Sequence, residues 1–385
     1  MTLEGRDIVC VGYSDWDKDL LTNEQHLLGR LARRNRVLYV ESLGVRRPQI
    51  ARRDLARIAR RALRGTRPLH AVDGVHVLSP LVLPLHDRAW ARRFNAAILR
   101  ALVRRATRRL EFRDILLWAF MPQAEALVDA LGPAQVLYYV DDDHAAKKGI
   151  DAASFQATER RYVARADVVL ASAPELVERM RTLHGDVHYA PNVADTALFA
   201  TTLRPGPVDP AMEALGRPRV LFVGAIVANK LDLALIAELS RLRPDWAFAF
   251  VGPVGPGDPH TDVEALRRLP NVHLLGHRAY AELPDVLRGA DVAIMPYRIE
   301  GEMRSVFPMK TYEYLAAGLP VVTTPLPALA EVDAVVKAAT AEEIAARIEE
   351  AMAADTPQER VARSQAAQAH SWDARLQQLG DVLAR

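Results

Sequence analysis

Short runs of β-branched and other apolar residues alternate with longer helical patterns along the whole chain. This alternation is typical of parallel sheets whose strands are joined by crossover helices, so the predicted fold class is α/β. The predicted strands of the first half are 7–12, 36–41, 75–79, 114–119, 135–140 and 167–172, with helices such as 23–34 and 89–110 between them. The predicted strands of the second half are 219–224, 247–252, 272–276, 291–296 and 319–323. Each half is therefore expected to form a doubly wound sheet.

The chain has 385 residues, which is too long for one ordinary hydrophobic core. A proline-rich run, Leu203-Arg204-Pro205-Gly206-Pro207-Val208-Asp209-Pro210, interrupts the pattern, because proline removes backbone donors. The prediction is a first domain over 1–200, a linker over 201–218, a second domain over 219–370 and a helix over 371–385 that packs back on the first domain. Ligands of open α/β sheets bind beyond the carboxyl ends of the strands, so we expect the site in a cleft between two facing domains.

Cysteine usage and hydropathy indicate the compartment. The single cysteine, Cys10, lies in a predicted strand, which excludes a disulfide framework and a cysteine metal cluster and favours a reducing cytosol. No apolar run approaches the roughly 18 residues that span a bilayer, and residues 1–12 lack the pattern of a secretion signal. We expect a cytoplasmic protein.

The formal net charge is only +2, yet residues 46–113 are strongly basic. Within this stretch, 51–64 places Leu55, Ile58 and Ala62 on one helical stripe surrounded by arginines. This pattern suits the anionic inner face of a membrane, although a solvated helix is the simpler interpretation. Nucleic-acid binding is not expected, because no recognised module accompanies the charge.

The most informative segment is Phe307-Pro308-Met309-Lys310-Thr311-Tyr312-Glu313-Tyr314-Leu315-Ala316-Ala317-Gly318-Leu319-Pro320-Val321-Val322. It predicts a loop, a short helix with Pro308 in its first turn, a left-handed cap at Gly318 and a buried strand. The helix start and Lys310 together would attract a diphosphate. Glu313, one turn further, could accept hydrogen bonds from both ribose hydroxyls. A capped helix with a solvated Lys and Glu is the alternative.

This segment, together with strand 220–224, Pro191-Asn192 and 271–276, resembles retaining glycosyltransferases of the GT-B architecture, family-4 or group 1 type. The nearest likeness is to a bacterial branch with a Pro-x-Lys-x-Tyr-Glu-Tyr-Leu-Ala-x-Gly-x-Pro-Val-Val signature. The likeness covers most of residues 135–330, whereas the first 130 residues agree only in topology.

The resemblance implies two Rossmann-like domains and a nucleotide-sugar donor. It implies that Glu313 binds the ribose, that the backbone around Met309 and Lys310 meets phosphate or ribose, and that the loop at Arg278 touches the base. The remaining predicted donor-binding residues are Gly12, Gly224, Arg304, Ser305 and Val306.

Two positions depart from the family pattern. Ser305 stands where a glutamate usually contacts the transferred sugar, and Glu300 or Glu302 could replace it. Ala225 stands where an arginine usually follows the strand-end glycine. Other cations must then stabilise the negative charge of the leaving diphosphate. We predict this catalytic role for Lys230 and Lys310.

Two loops of the first half are candidates for acceptor binding. Gly12 ends the first strand and would allow close approach of a sugar or phosphate, while Asp15 and Trp16 offer a carboxylate and an aromatic face. An ordinary turn explains the same residues equally well.

The run Asp141-Asp142-Asp143-His144 follows the strand that ends at Val140. Asp141 is predicted to bind acceptor, and Asp142 and His144 are predicted catalytic residues, because relatives place a sugar-contacting histidine in this region. An Asp-x-Asp metal site is the alternative, but the resemblance favours a metal-independent enzyme with no obligatory cofactor.

The implied reaction moves a sugar from a UDP-sugar, or else a GDP-sugar, to a hydroxyl of a glycan, lipid-linked saccharide or small natural product. The resemblance implies retention, with the donor phosphate accepting the acceptor proton. An inverting enzyme would need a general base, for which Asp15, Asp142 and His144 are eligible. A nucleotide-sugar epimerase and a non-catalytic nucleotide-sugar-binding partner remain alternatives.

Overall fold

The computed structural model describes residues 3–17, 21–42, 69–83, 85, 88–147, 149–256, 258 and 260–384. Contacts between residues group the chain into two units, Met1–Pro191 with Leu376–Arg385, and Asn192–Arg375. The predicted basic helix over 51–64 lies outside the described residues. Within the described ranges, no helix combines the length and apolar composition needed to cross a membrane.

The first unit is built on an eight-stranded sheet with the strand order β3-β4-β2-β1-β5-β6-β7-β8. The strands are β1 (Asp7–Val11), β2 (Arg36–Val40), β3 (Leu69–Val72), β4 (Val75–Leu78), β5 (Leu116–Ala119), β6 (Gln135–Val140), β7 (Val168–Ala171) and β8 (Val187–Tyr189). Strands β1, β5 and β7 are buried throughout, as the predicted crossover architecture requires. All pairs are parallel except β3 with β4.

The antiparallel pair β3 and β4 corrects the purely parallel prediction. Asp73 and Gly74 join the two strands with positive φ angles of 50° and 82°. Two consecutive positive φ angles define the tight turn whose twist matches a hairpin, and an Asp-Gly pair is its usual sequence.

Helices cover the strand connections of the first unit. They are α1 (Asn23–Leu31), α2 (Ala89–Arg109), α3 (Glu125–Leu131), α4 (Ala152–Val163) and α5 (Pro174–Arg181), with 3-10 turns at Pro122–Ala124 and His144–Ala146. Helix α1 is shorter than the predicted 23–34, because the N–H groups of Arg33 and Arg34 bond to the carbonyls three residues back and close the helix with a tighter turn.

The second unit contains a six-stranded parallel sheet with the order β11-β10-β9-β12-β13-β14. Its strands are β9 (Arg219–Val223), β10 (Ala247–Val251), β11 (Val272–Gly276), β12 (Val292–Met295), β13 (Val321–Thr323) and β14 (Val336–Lys337). Each of the five predicted strands is present and ends within two residues of its predicted position. The short edge strand β14 was not predicted.

The helices of the second unit are α6 (Thr196–Phe199), α7 (Pro210–Glu213), α8 (Leu233–Leu242), α9 (Glu264–Arg267), α10 (Leu283–Arg288), α11 (Lys310–Ala316), α12 (Ala341–Ala353), α13 (Pro357–Ala367) and α14 (Trp372–Leu383). Its 3-10 turns are Ala200–Leu203, Tyr280–Glu282, Gly301–Ser305, Pro327–Leu329 and Gln368–His370. Residues 201–218 belong to this second unit, whereas the end of α14, from Leu376, belongs to the first unit.

Candidate functional site

Helix α11 starts at Lys310, two residues after Pro308, and ends before Gly318. Gly318 has a φ of 78°, which confirms the predicted left-handed cap. The chain then enters β13 at Val321. The loop, helix, cap and strand follow one another as the sequence predicts, although Pro308 lies before the first turn rather than in it.

The side chain of Lys310 lies against the backbone at the end of β9. A Cβ built on Gly224 would stand 2.2 Å from Cε and 2.8 Å from Nζ of Lys310, so only glycine leaves room for this side chain. Lys310 is half-buried, and burial lowers the pKa of its ammonium while Glu313 opposes that shift. Lys310 forms no ion pair with any residue that the structure describes. Its charge is therefore held close to the strand end and is available to an anion.

Glu313 is 7% exposed and lies one turn after Lys310. Burial raises the pKa of the Glu313 carboxyl, and the positive charge of Lys310 partly opposes this effect. The hydroxyl of Tyr280 donates a hydrogen bond to Glu313 Oε1 at 3.4 Å, and the Tyr280 ring packs edge-on against Phe199. The carboxylate thus keeps acceptor capacity for a ligand while one neighbouring hydroxyl orients it.

Tyr314 ties helix α11 to strand β9. Its hydroxyl accepts a hydrogen bond from Val223 N–H at 2.7 Å and donates to the Val223 carbonyl at 3.3 Å. Val223 immediately precedes Gly224, so this pair of bonds fixes the strand end against which Lys310 lies. Sequence reasoning gave Tyr314 no role.

Four more residues that were predicted to bind the donor lie just before the start of α11. Arg304 is exposed and Ser305 is buried in the 3-10 turn Gly301–Ser305, and Val306 and Met309 are half-buried. Glu300, one candidate replacement for the missing glutamate, is exposed and 3.9 Å from Arg298. The side chain of Glu302 lies outside what the structure describes.

Arg278 follows β11, and its guanidinium is held by Asp209. Nε lies 2.6 Å and Nη2 3.3 Å from the Asp209 carboxylate, and Nη1 donates to the carbonyl of Leu275 at 2.9 Å. This ion pair lowers the pKa of Asp209. The Arg278 side chain therefore stabilises the loop after β11. Because its guanidinium is engaged in these bonds, the backbone of the loop is the part that could contact a nucleotide base.

Lys230 lies in the loop after β9 and is half-buried. Its N–H donates to the carbonyl of Val227 at 3.1 Å, and its carbonyl accepts from Arg298 N–H at 2.7 Å. Its backbone is thus fixed on both sides, at the same end of the sheet as Gly224.

In the first unit, the loop after β1 is organised by Glu24, which sequence reasoning missed. Glu24 is completely buried and accepts hydrogen bonds from Tyr13 N–H at 2.7 Å, the Ser14 hydroxyl at 2.6 Å and the Tyr39 hydroxyl at 2.9 Å. Burial and the nearby charge of Asp141 raise the pKa of Glu24 to about 7, against the three hydrogen bonds. The available signal was an acidic residue in the first turn of the helix that follows the first strand.

Gly12 is required by the same arrangement. A Cβ there would stand 2.1 Å from the Tyr39 hydroxyl oxygen. Trp16 is buried, and its ring lies 5.0 Å from that of Tyr39. Its backbone N–H donates to Glu41 Oε1 at 2.7 Å. Asp15 is half-buried, and its carbonyl accepts from Gln25 Nε2 at 3.2 Å.

The residues after β6 form a charged cluster. His144 Nε2 lies 3.2 Å from Asp141 Oδ1, and its Nδ1 lies 3.1 Å from Lys147 Nζ. Lys147 also pairs with Asp142 at 2.6 Å. The ring of Tyr13, which was not a predicted site residue, packs 5.1 Å from that of His144, so the β1 and β6 loops meet at these two rings. Among the described residues, no set of three or more His, Cys, Asp or Glu could hold a metal ion.

Part of the chain matches a known protein family. Residues 217–354 match the family described as glycosyl transferases group 1. Over 179 residues the chain is 34% identical to the putative teichuronic acid biosynthesis glycosyltransferase TuaH of Bacillus subtilis (strain 168), covering 45% of this chain and 44% of that protein. The chain therefore matches less than half the length of this relative.

Two solved structures match almost the whole chain. Sucrose-phosphate synthase from Thermosynechococcus elongatus has a TM-score of 0.68 at 15% identity, with 98% of both chains covered. Anabaena HepE in complex with UDP has a TM-score of 0.66 at 15% identity, with 98% of this chain and 99% of that chain covered. These likenesses confirm the predicted GT-B fold class of two doubly wound α/β units. The second unit is similar to the glycosyl transferases group 1 enzymes.

Proposed function

We propose that this protein is a glycosyltransferase that moves a sugar from a nucleotide-diphosphate donor to a hydroxyl acceptor, with retention and without a metal. The observation that carries the proposal is the placement of Lys310 against Gly224, one turn before the buried Glu313. Lys310 is a cation with no ion-pair partner among the described residues, and Glu313 is a buried carboxylate; at this spacing they suit a diphosphate and a ribose respectively.

Lys310 would stabilise the charge that develops on the diphosphate as the sugar bond breaks. Its amine is already positioned and half-buried, so little reorganisation accompanies the reaction, and such preorganised charges contribute most to catalysis. Lys230 and Arg304 are proposed as additional phosphate contacts. Glu313 would hold the nucleoside through its ribose hydroxyls and would not take part in bond breaking.

UDP is the favoured nucleotide, because HepE has been crystallised with UDP and with UDP-glucose. A saccharide acceptor is favoured over a small natural product, because TuaH is named for teichuronic acid biosynthesis. In the first unit, Asp141, Asp142, His144 and Asp15 are proposed to contact the sugar or the acceptor, and Glu24 is proposed to position the loop that carries Tyr13 and Ser14.

Two substitutions separate the proposed roles. Lys310→Ala should weaken UDP binding about 10- to 150-fold, the value of a charge-assisted hydrogen bond, and leave uridine binding unchanged. Glu313→Gln should weaken UDP and uridine alike, because both carry the ribose. Isothermal titration with the two ligands measures these effects.

Lys337→Ala is the matched control, since Lys337 belongs to the same unit and, within the part of the chain that the structure describes, donates only to the carbonyls of Ala330 and Val332. If Lys310→Ala weakens uridine as much as UDP, the assignment of Lys310 to the phosphates is wrong.

Activity is tested by incubating the protein with labelled UDP-sugars, with and without saccharide acceptors, in the presence of a chelator. Slow release of UDP without acceptor and transfer with retained configuration support the proposal. Formation of an epimeric nucleotide sugar, or nucleotide binding without any turnover across donors and acceptors, would overturn it. A thermal-shift comparison of UDP, GDP and ADP identifies the donor base.

A further inference from the structure

Lys147 was not a predicted site residue, yet its side chain lies inside the charged cluster that follows β6. The 3-10 turn His144–Ala146 directly precedes it. Residues three apart lie above one another in a 3-10 helix, so this turn brings the Lys147 side chain to the ring of His144. Nζ of Lys147 lies 3.1 Å from His144 Nδ1, 2.6 Å from Asp142 Oδ2 and 5.7 Å from the ring centre of Tyr13. The side chain is only 16% exposed, so these contacts form largely out of water.

The contact with Lys147 decides where the proton of His144 lies. An ammonium group has three N–H donors and no acceptor, so Lys147 can only donate to Nδ1. A ring nitrogen that accepts a hydrogen bond carries no proton, and the ring therefore keeps its proton on Nε2. Nε2 lies 3.2 Å from Asp141 Oδ1 and donates to it. Both nitrogens of the buried His144 ring are thus engaged by neighbours in the same loop.

The same geometry requires a neutral ring. A second proton, on Nδ1, would point at the ammonium of Lys147, so that two donors and two positive charges would face each other at 3.1 Å. With Lys147 in place, His144 is a hydrogen-bond donor through Nε2 and has no lone pair left for another proton.

Lys147 also engages the other candidate for a general base in this loop. Its ammonium forms a short ion pair with the Asp142 carboxylate, whose side chain is 16% exposed. A charge-assisted hydrogen bond of this length fixes the carboxylate and occupies one of its oxygens. A general base needs a free lone pair within reach of the proton that it removes. One lysine therefore engages both Asp142 and His144.

We propose that Lys147 is a positioning residue of the sugar-transfer site: it holds His144 as the neutral form with its proton on Nε2 and prevents His144 and Asp142 from acting as the general base. The acceptor hydroxyl then gives its proton to a phosphate oxygen of the donor, as in the proposed retaining reaction. This consequence for the reaction rests on the proposed function, whereas the position of the ring proton does not.

Nitrogen NMR of the free protein, labelled with nitrogen-15 in its histidines, reads the ring directly. The chain has 11 histidines, and the ring signals that disappear in His144→Gln belong to His144. At pH 7 we expect a proton on Nε2 and a bare Nδ1 that accepts a hydrogen bond. Lys147→Met removes the donor and leaves the carboxylates of Asp141 and Asp142, so the ring should take up a second proton. Lys147→Arg keeps a donor and should keep the neutral ring.

Sugar transfer measures the consequence for the reaction. Lys147→Met should lower kcat about 10- to 100-fold, as expected when site groups are misplaced, and leave the Kd for UDP unchanged. Lys147→Arg should recover most of the loss. Arg165→Met is the matched control, because Arg165 belongs to the same unit and forms an ion pair with Asp129, outside the β6 loop. It should change neither kcat nor the His144 signals.

A proton on Nδ1 of His144 in the wild type would overturn the proposal, and this spectrum decides even if Lys147→Met does not fold. Unchanged His144 signals in a folded Lys147→Met variant would overturn it as well. So would transfer with inversion that is lost in Asp142→Asn, because Asp142 would then be the base. A neutral His144 ring in a protein that transfers no sugar would refute the proposed function and leave the role of Lys147 in holding the ring intact.

Discussion

Replacing Gly224 with alanine should weaken nucleotide binding in addition to lowering stability. The new Cβ would stand 2.2 Å from Lys310 Cε and would force this flexible side chain away from the strand end. Gly224 also has a φ of 145°, where an L residue costs about 1–3 kcal/mol. Loss of a positioned ammonium from a diphosphate costs about 1.5–3 kcal/mol, which is about a 10- to 150-fold increase in Kd for UDP.

Gly132→Ala is the matched control for the backbone cost. Gly132 has a φ of 54°, belongs to the first unit, and has open space where a Cβ would stand. The Gly132→Ala substitution should lower the free energy of unfolding by about 1–2 kcal/mol without changing UDP affinity. Urea unfolding gives the stability of both variants, and isothermal titration gives their Kd for UDP.

A double-mutant cycle decides whether Gly224 acts through Lys310. In a Lys310→Ala background the clash is removed, so Gly224→Ala should have little further effect on UDP affinity. Equal UDP affinity in Gly224→Ala and Gly132→Ala, or full additivity in the cycle, would refute the reasoning.

Two further predictions follow from buried hydrogen bonds. Tyr314→Phe leaves the buried N–H of Val223 without its acceptor and should lower the free energy of unfolding by about 1–3 kcal/mol; unchanged urea midpoints would contradict this role. Glu24 has a folded-state pKa of about 7, above the ordinary value of 4.5, so its contribution to stability is complete below pH 4.5 and is lost as the pH rises to 7. Glu24→Gln should remove up to about 3 kcal/mol of this pH dependence. The free energy of unfolding at pH 4.5 and at pH 8 measures the effect. If it changes with pH as much in the variant as in the wild type, the raised pKa of Glu24 is contradicted.

Most of the fold follows from the sequence, because a buried parallel strand requires a continuous apolar run. Strands such as β1 and β9 are fully buried, and their predicted bounds agree with the structure to within one residue. Strands β3, β8 and β14 are short, lie at or beside sheet edges and include polar or exposed residues, so no apolar run distinguishes them from loops. Only β3 had a local signal, the Asp73-Gly74 pair.

The candidate site was predictable where its residues are close in sequence. Lys310 and Glu313 lie on one helix turn, and their spacing is visible without a structure. The contact of Lys310 with Gly224 and the bond from Tyr314 to Val223 join distant segments, and only the folded chain shows them. The ion pair of Arg278 with Asp209 is of the same kind, because Asp209 had been read as part of a proline-rich linker.

The end of helix α14 has a consequence for how the protein is made. Gln135 donates to the carbonyl of Leu383 at 3.2 Å, and Gln378 donates to that of Tyr189 at 3.1 Å. The first unit therefore includes residues that the ribosome adds only after the whole second unit. Domains generally fold in order of synthesis, but here the first unit gains its last helical segment only after the second unit has been made. Translation of the second unit is thus a period in which the surface around Gln135 stays open to chaperones.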